Sequence, residues 1–259
     1  MVKPNFSLEG KVALISGGSR GIGKVAAIGF AEAGADVVVA SRKLPDLEQV
    51  ASEVKKLGRK ALPIAAHLGR LEEITNLVQA VYKEFGRIDI LVNNAGTSPA
   101  IAPMIDIDER LWDSVMNLNL KGVAFLSQAA ARIMRDHGGG SIINVSSVTA
   151  FRHEPNVGIY SISKIAVIRL TEIMAQELAQ YNIRVNAIAP GHVHTRLGDS
   201  IFEVLPEYKK ELIRKIPMGR IGEPEELMGA LLYLASEASS YTTGETIVVD
   251  GGTRVSSMG

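Results

Sequence analysis

Short apolar runs alternate along the chain with longer stretches whose apolar residues recur every three or four positions, and glycine closes many of them. The first run, Lys11-Val12-Ala13-Leu14-Ile15-Ser16, is rich in β-branched residues and stops at Gly17-Gly18, which predicts a buried strand entering a tight turn. From Lys24 to Ala33 the period becomes helical, and Gly34 follows as a natural C-cap. Ala35 to Ala40 reads as the next strand. The alternation then repeats: helix from Asp46 to Leu57, strand from Lys60 to Ala66, helix from Leu71 to Phe85, strand from Ile88 to Val92. It continues with a long helix from Glu109 to Arg135, a strand from Ser141 to Ser146, a helix from Val157 to Gln180 and a strand from Ile183 to Ala189. A helix from Pro224 to Leu234 and a strand and turn within Gly244 to Gly252 complete the series. Strands that alternate with helices in this way form α/β units with a parallel sheet.

Composition sets the scale. With 259 residues and 46% hydrophobic content, the chain has material for one large core, so residues 1–259 are expected to form a single domain. Lys+Arg 28 balances Asp+Glu 28, which gives no electrostatic case for nucleic acid or an anionic membrane as partner. The absence of cysteine excludes disulfides and thiol nucleophiles, and the five histidines lack the spacing of a metal site, so no metal is expected. No basic-then-apolar leader opens the chain and no apolar run approaches the ~18 residues that span a bilayer, so the expectation is a soluble cytoplasmic protein.

Two stretches carry chemistry. The turn Gly17-Gly18-Ser19-Arg20-Gly21-Ile22-Gly23 joins the first strand to the first helix with the spacing G-x-x-x-G-x-G. There Gly17 permits the sharp bend, Gly21 lets backbone N–H groups approach a pyrophosphate, and Gly23 lets the helix sit close; the helix N-terminus then faces the anion. After the second strand comes Ser41-Arg42-Lys43. Serine stands where a carboxylate would serve the ribose diol of NAD, and Arg42 with Arg20 would offer guanidinium donors to a 2′-phosphate; the alternative is two solvated loop arginines. Further on, Tyr160 and Lys164 are four residues apart, on one helical face, with Ser147 thirteen residues before the tyrosine. A nearby ammonium favours the phenolate, which makes Tyr160 a candidate general acid/base; alone, the pair also reads as an ordinary surface contact.

Together with Asn93-Asn94-Ala95-Gly96, these motifs resemble the short-chain dehydrogenase/reductase family over nearly the whole chain, with likeness to oxoacyl-carrier-protein-reductase-like and carbonyl-reductase-like members. The resemblance implies a Rossmann-type doubly wound, mostly parallel seven-stranded sheet, ordered 3-2-1-4-5-6-7, with helices on both faces. It implies Asn119, Ser147, Tyr160 and Lys164 as catalytic residues: Tyr160 moves the proton, Ser147 hydrogen-bonds the carbonyl, Lys164 lowers the tyrosine pKa and binds the nicotinamide ribose, and Asn119 holds a water. Asn117 is the rival asparagine. Cofactor contacts fall on Gly17, Ser19, Arg20, Gly21, Ile22, Gly23, Ser41, Arg42, His67, Leu68, Asn94, Ala95, Gly96, Tyr160, Lys164, Pro190, Gly191, Val193 and Thr195. At His67 the family usually carries aspartate, so the expected adenine contact shifts to the backbone of Leu68. Residues 196–216 read as a lid over the substrate, and His153, His192 and His194 as rim residues of the cleft. The function so implied is NADP(H)-dependent reduction of a small-molecule ketone, aldehyde or 3-oxoacyl thioester by a homotetramer. The alternatives are an NAD(P)-linked alcohol or sugar dehydrogenase working oxidatively, and a non-catalytic NADP-binding sensor or scaffold.

Overall fold

Alternation with period two divides the chain between two cores. In β1 (Val12–Ser16), Val12 and Leu14 join one apolar cluster while Ala13 and Ile15 join the other. β2 (Asp36–Ser41) repeats the division, with Val38 and Ala40 on the first side and Val37 and Val39 on the second. A strand apolar on both faces must be covered on both, and the helices supply the cover. The structure, a computed structural model, describes residues 4–152, 154–195 and 206–256.

Helices α1 (Gly21–Glu32) and α2 (Leu44–Lys56) cover one face, with Phe30, Leu47, Val50 and Val54 inward. α3 (Leu71–Phe85) covers the other through Ile74, Leu77, Val78 and Val81. β3 (Ala61–Ala65) and β4 (Ile90–Asn93) flank this first half. Next come α4 (Glu109–Met116), a π-helical segment (Asn117–Gly122) and α5 (Val123–Asp136), where the sequence predicts one long helix. β5 (Gly140–Val145), α6 (Gly158–Leu178) and β6 (Ile183–Pro190) follow. α7 (Pro206–Lys215), α8 (Met228–Ala235) and β7 (Thr246–Val249) close the fold. The seven strands lie in the order β3-β2-β1-β4-β5-β6-β7, and each neighbouring pair is parallel. That is the expected order, in a sheet that is wholly parallel. β3 is a half-buried edge strand, which explains how it accommodates Pro63: a proline costs no ladder bond on an open edge. Among the described residues no helix is long and apolar enough to cross a membrane.

The middle of the sheet also contains a buried polar chain. Asn93 Nδ2 donates to Ser127 Oγ and to Asn144 Oδ1, both at 2.8 Å, and Asn144 Nδ2 donates to Thr171 Oγ1 at 2.8 Å. β4, β5, α5 and α6 are thereby tied by side chains where the strands point towards the cleft. Asn144 is fully buried, so truncation removes one acceptor from Asn93 and the donor to Thr171 where solvent does not reach, although Asn93 keeps Ser127 and Thr171 keeps the Val167 carbonyl. Asn144→Ala is expected to lower unfolding stability by about 2–4 kcal/mol, read from urea denaturation midpoints. Stability within ~0.5 kcal/mol of wild type would show that the chain of amides does not hold the strands.

Candidate active site

The carboxyl ends of the central strands are drawn together by one serine and one asparagine. Ser16 Oγ accepts from the backbone N–H groups of Asn94 at 2.9 Å and Ala95 at 3.0 Å. Asn94 Nδ2 donates back to the carbonyls of Ser16 at 3.1 Å and Gly17 at 3.0 Å. The glycine turn is packed against this latch. Gly17 has φ +66, and a Cβ there would lie 2.8 Å from Asn94 Nδ2; one on Gly23 would lie 2.3 Å from the Gly17 carbonyl oxygen. Gly23 therefore serves close approach inside the turn itself, and Gly21, at φ +51, starts α1 three residues before the expected Lys24. No side chain caps α1. Its N-terminus and Gly17, Ser19, Arg20, Gly21 and Ile22 line a cavity of about 1400 Å³. A bare helix N-terminus beside a glycine cradle suits a pyrophosphate, so the residues present fit a dinucleotide.

Along the cavity, Ser41, Arg42, His67 and Leu68 lie at the ends of β2 and β3, with Asn94, Ala95 and Gly96 facing them from β4. His67 Nδ1 accepts from the Gly69 N–H at 3.2 Å, while the backbone N–H of His67 donates to Glu73 Oε2 at 2.6 Å, so the residue is tied into the turn before α3. Leu68 is pinned from the opposite side, because a Cβ on Gly122 would stand 2.2 Å from its carbonyl oxygen. Only glycine lets the π-helical segment approach that closely.

The catalytic candidates converge at the far end. Ser147, Tyr160 and Lys164 all border the same cavity. Ser147 Oγ accepts from the N–H of Thr149 at 3.2 Å and from its hydroxyl at 3.0 Å. Lys164 is buried, its Nζ donating to the Val145 carbonyl at 2.8 Å and lying 5.5 Å from the centre of the Tyr160 ring. Ser146 is structural, donating to the Lys164 carbonyl at 2.8 Å. Burial pushes the Tyr160 phenol up to about 12, with Ser147 pulling it down and the Glu154 carboxylate pushing it further up. Burial brings Lys164 down to about 8. Lys164 is expected to lower the tyrosine pKa, yet the phenol ends above its ordinary value, because desolvation of the phenolate dominates while the ammonium is engaged by the Val145 carbonyl.

Asn119 is buried in the π-helical segment and makes no hydrogen bond to Lys164. It clasps Thr97 in both directions, accepting from its N–H at 2.8 Å and donating to its carbonyl at 2.9 Å, and also donates to Ser163 Oγ at 3.1 Å. A Cβ on Gly96 would lie 3.5 Å from both Asn119 Oδ1 and Lys164 Nζ, so that glycine keeps the space between them open. Pro190, Gly191, Val193 and Thr195 line the cavity beyond β6. Val193 bridges to Gly222, and Thr195 reaches the glycine turn, its Cγ2 being 3.5 Å from where a Cβ of Gly21 would stand. His192 borders the cavity and pairs with Glu154, Nε2 to Oε1 at 3.1 Å. His153 and residues 196–205 of the expected lid lie outside the described residues, and 206–215 form α7. Sequence reasoning missed Ser16, Thr97, Ser163 and Glu154. Of these only Ser16, a polar residue ending an apolar strand, carried a local signal. Among the described residues no group of three or more His, Asp or Glu could hold a metal.

Comparison with known proteins gives the same outline. The family whose sequence model is described as Enoyl-(Acyl carrier protein) reductase matches residues 17–254. A 2-dehydro-3-deoxy-D-gluconate 5-dehydrogenase of Escherichia coli (strain K12) is 43% identical, over 97% of this chain and 98% of its own. A 3-oxoacyl-(acyl-carrier-protein) reductase of Thermotoga maritima is 42% identical, over 95% and 98%. Among solved structures, a gluconate 5-dehydrogenase of Burkholderia cenocepacia J2315 in complex with NADP and tartrate is 36% identical, with TM-score 0.93 over 98% of each chain.

The two asparagines of the π-helical segment separate by their contacts. Asn119→Ala strands the Thr97 N–H and carbonyl and is expected to cost about 1–3 kcal/mol in thermal or urea unfolding, whereas Asn117→Ala, at a half-buried position, should stay within ~0.5 kcal/mol. The reverse ranking would mean that the wrong asparagine supports the loop.

Proposed function

The chain belongs to the short-chain dehydrogenase/reductase family, and from that membership we propose that it is an NADP(H)-dependent reductase of ketones, aldehydes or 3-oxoacyl thioesters. Its general character follows from the family: an oxidoreductase that interconverts a carbonyl and an alcohol with a nicotinamide cofactor. The observation that carries the finer reading is the convergence of Ser147, Tyr160 and Lys164 on a cavity whose other end is the uncapped start of α1. The nicotinamide, when bound, supplies the hydride to the carbonyl carbon. Tyr160 gives its proton to the carbonyl oxygen, and the phenol, held near 12, enters the reaction fully protonated at neutral pH. Ser147 donates a hydrogen bond to the same oxygen as charge develops on it. Lys164, its Nζ 5.5 Å from the centre of the Tyr160 ring, would hold the nicotinamide ribose and place a positive charge near the tyrosine. Asn119 holds Thr97 and hence the wall of the cleft opposite the tyrosine.

Arg20 and Arg42 border the cavity where Ser41 leaves no carboxylate to bind a ribose diol, which favours a 2′-phosphate. A charge pair at ~4 Å is worth ~4 kcal/mol before desolvation at an effective dielectric near 20, enough to set a preference. NADP occupies the gluconate 5-dehydrogenase structure. Since relatives named as dehydrogenases stand beside one named as a reductase, the second reading is the same machinery run towards the ketone. Assembly as a homotetramer is part of the proposal. Ile162, Ile165 and Ile173 leave an apolar stripe on α6, and Phe125 another apolar surface on α5, each with 39–46% exposure, as expected of faces that pair between copies.

Three outcomes test the reading. Tyr160→Phe should lower kcat/KM for ketone reduction by about 10²–10⁴-fold, and unchanged turnover would refute the proton donor. Arg42→Ala should weaken NADPH by about tenfold or more while leaving NADH nearly unchanged; equal effects on both would refute the phosphate contact. As pH rises through about 8, Lys164 loses its charge and the reduction rate should fall, so a profile level well beyond that point would remove the ammonium from the mechanism.

A further inference from the structure

Glu154 is a charged group bordering the cavity with Ser147 and Tyr160 that the proposed reaction does not use. Glu154 lies on the loop between Ser147 and α6, and its carboxylate accepts from or pairs with His192 Nε2 at 3.1 Å, across 38 residues of sequence. Both side chains are about four-fifths buried and both border the cavity alongside Ser147, Tyr160 and Val193. The loop that carries Glu154 is fixed at several points. Ala102 N–H donates to the Asn156 carbonyl at 2.9 Å, Arg152 donates to the Thr253 carbonyl at 2.6 Å, and the Arg254 guanidinium lies 4.7 Å from the centre of the Phe151 ring. The carboxylate is therefore held in place by its surroundings, and it is close enough to the tyrosine to oppose its ionisation.

We infer that Glu154, clamped by His192, selects the substrate by charge: it accepts a hydrogen bond from a hydroxyl beside the reacting carbonyl and rejects a free carboxylate at that position. The inference rests on the reductase reading above and adds its substrate class, uncharged hydroxylated or esterified carbonyl compounds. The physical basis is that two carboxylates brought together in a partly desolvated cleft repel, whereas a hydroxyl offers the proton that a carboxylate accepts. The Nε2 of the histidine on this rim is turned to Glu154 and so is not offered to an anion. Removing the acid and removing its clamp must then act in opposite directions. Without Glu154 an anionic substrate gains; without His192 the carboxylate loses its hydrogen-bond partner, its oxygens face the cleft alone, and the anion loses further.

The test uses the full chain with NADPH and matched neutral and anionic carbonyl pairs: methyl pyruvate with pyruvate, and ethyl acetoacetate with acetoacetate. The quantity read is the anion-to-ester ratio of kcat/KM, in which the intrinsic reactivity of each pair cancels between variants. Wild type should favour the ester; Glu154→Gln should raise the ratio by about tenfold or more, and His192→Asn should lower it by a few fold. A merely structural contact would lower both members of each pair together. If wild type reduces both members but Glu154→Gln leaves the ratio within twofold, or if wild type favours the anion, the charge selection is overturned and the reductase reading stands. If wild type reduces no compound of either pair or a wider ketone panel, both fall. Should Glu154→Gln fail to fold, His192→Asn alone decides by whether its ratio falls or stays.

Discussion

The site depends on how tightly the ends of β1 and β4 are bound together. Ser16 gives its hydroxyl oxygen to two successive N–H groups of the β4 loop, and Asn94 returns its amide to two successive carbonyls of the glycine turn. This reciprocal arrangement leaves no room for a side chain at Gly17 or Gly23. A Cβ on Gly23 would meet the Gly17 carbonyl oxygen at 2.3 Å and the Asn94 amide nitrogen at 2.5 Å. These two glycines are thus required by a contact the protein makes with itself, beside an α1 N-terminus that no side chain caps. Space for a phosphate and closure of the central sheet follow from a single packing constraint.

A comparable economy governs the other end. The π-helical turn at Asn117–Gly122 brings Asn119 inward to clasp Thr97 and presents Gly122 to the Leu68 carbonyl, so one local irregularity serves both the catalytic wall and the β3 end. A uniform α-helix through these residues would lose that register, since widening by one residue turns the following side chains about the axis. Buried polar groups are costly unless paired, and here almost all are: Asn119 with Thr97 and Ser163, Ser146 with Lys164, Lys164 with Val145. The result is a wall whose rigidity comes from specific bonds, as close alignment of a reacting carbonyl demands.

Much of this was legible in the sequence. Strands apolar on both faces, helices at the right intervals and the ordered motifs led to the correct strand order and to most of the residues that line the cavity, although Asn119 and Gly23 stand behind its wall and the rival Asn117 lines it. What escaped was non-local. The Ser16–Asn94 latch spans 78 residues and the Glu154–His192 pair spans 38, and no periodicity within one element reports either. The sign of the Tyr160 shift escaped for the same reason. Spacing of four on a helix shows that Lys164 is near, but burial of the phenol and the Val145 carbonyl that engages the ammonium come from other elements. Helix starts depended on close backbone approach, which residue preferences register only weakly.

Burial of the tyrosine also bears on the direction of the chemistry. A phenol held near 12 stands in its proton-donating form throughout the neutral range, so the resting protein is already in the state that reduction consumes. The alkoxide formed as hydride reaches the carbonyl carbon is a stronger base than the phenolate, and the transfer stays downhill despite the raised pKa. Oxidation begins from the other side. It needs the phenolate, and each unit by which burial and Glu154 raise the phenol adds ~1.4 kcal/mol to the cost of preparing it. The Lys164 ammonium, itself brought down to about 8 by the same burial, recovers part of that cost only while it remains charged. The desolvation that makes the pocket a binding site therefore keeps the phenol protonated while lowering its acidity, and the Glu154 carboxylate acts in the same sense.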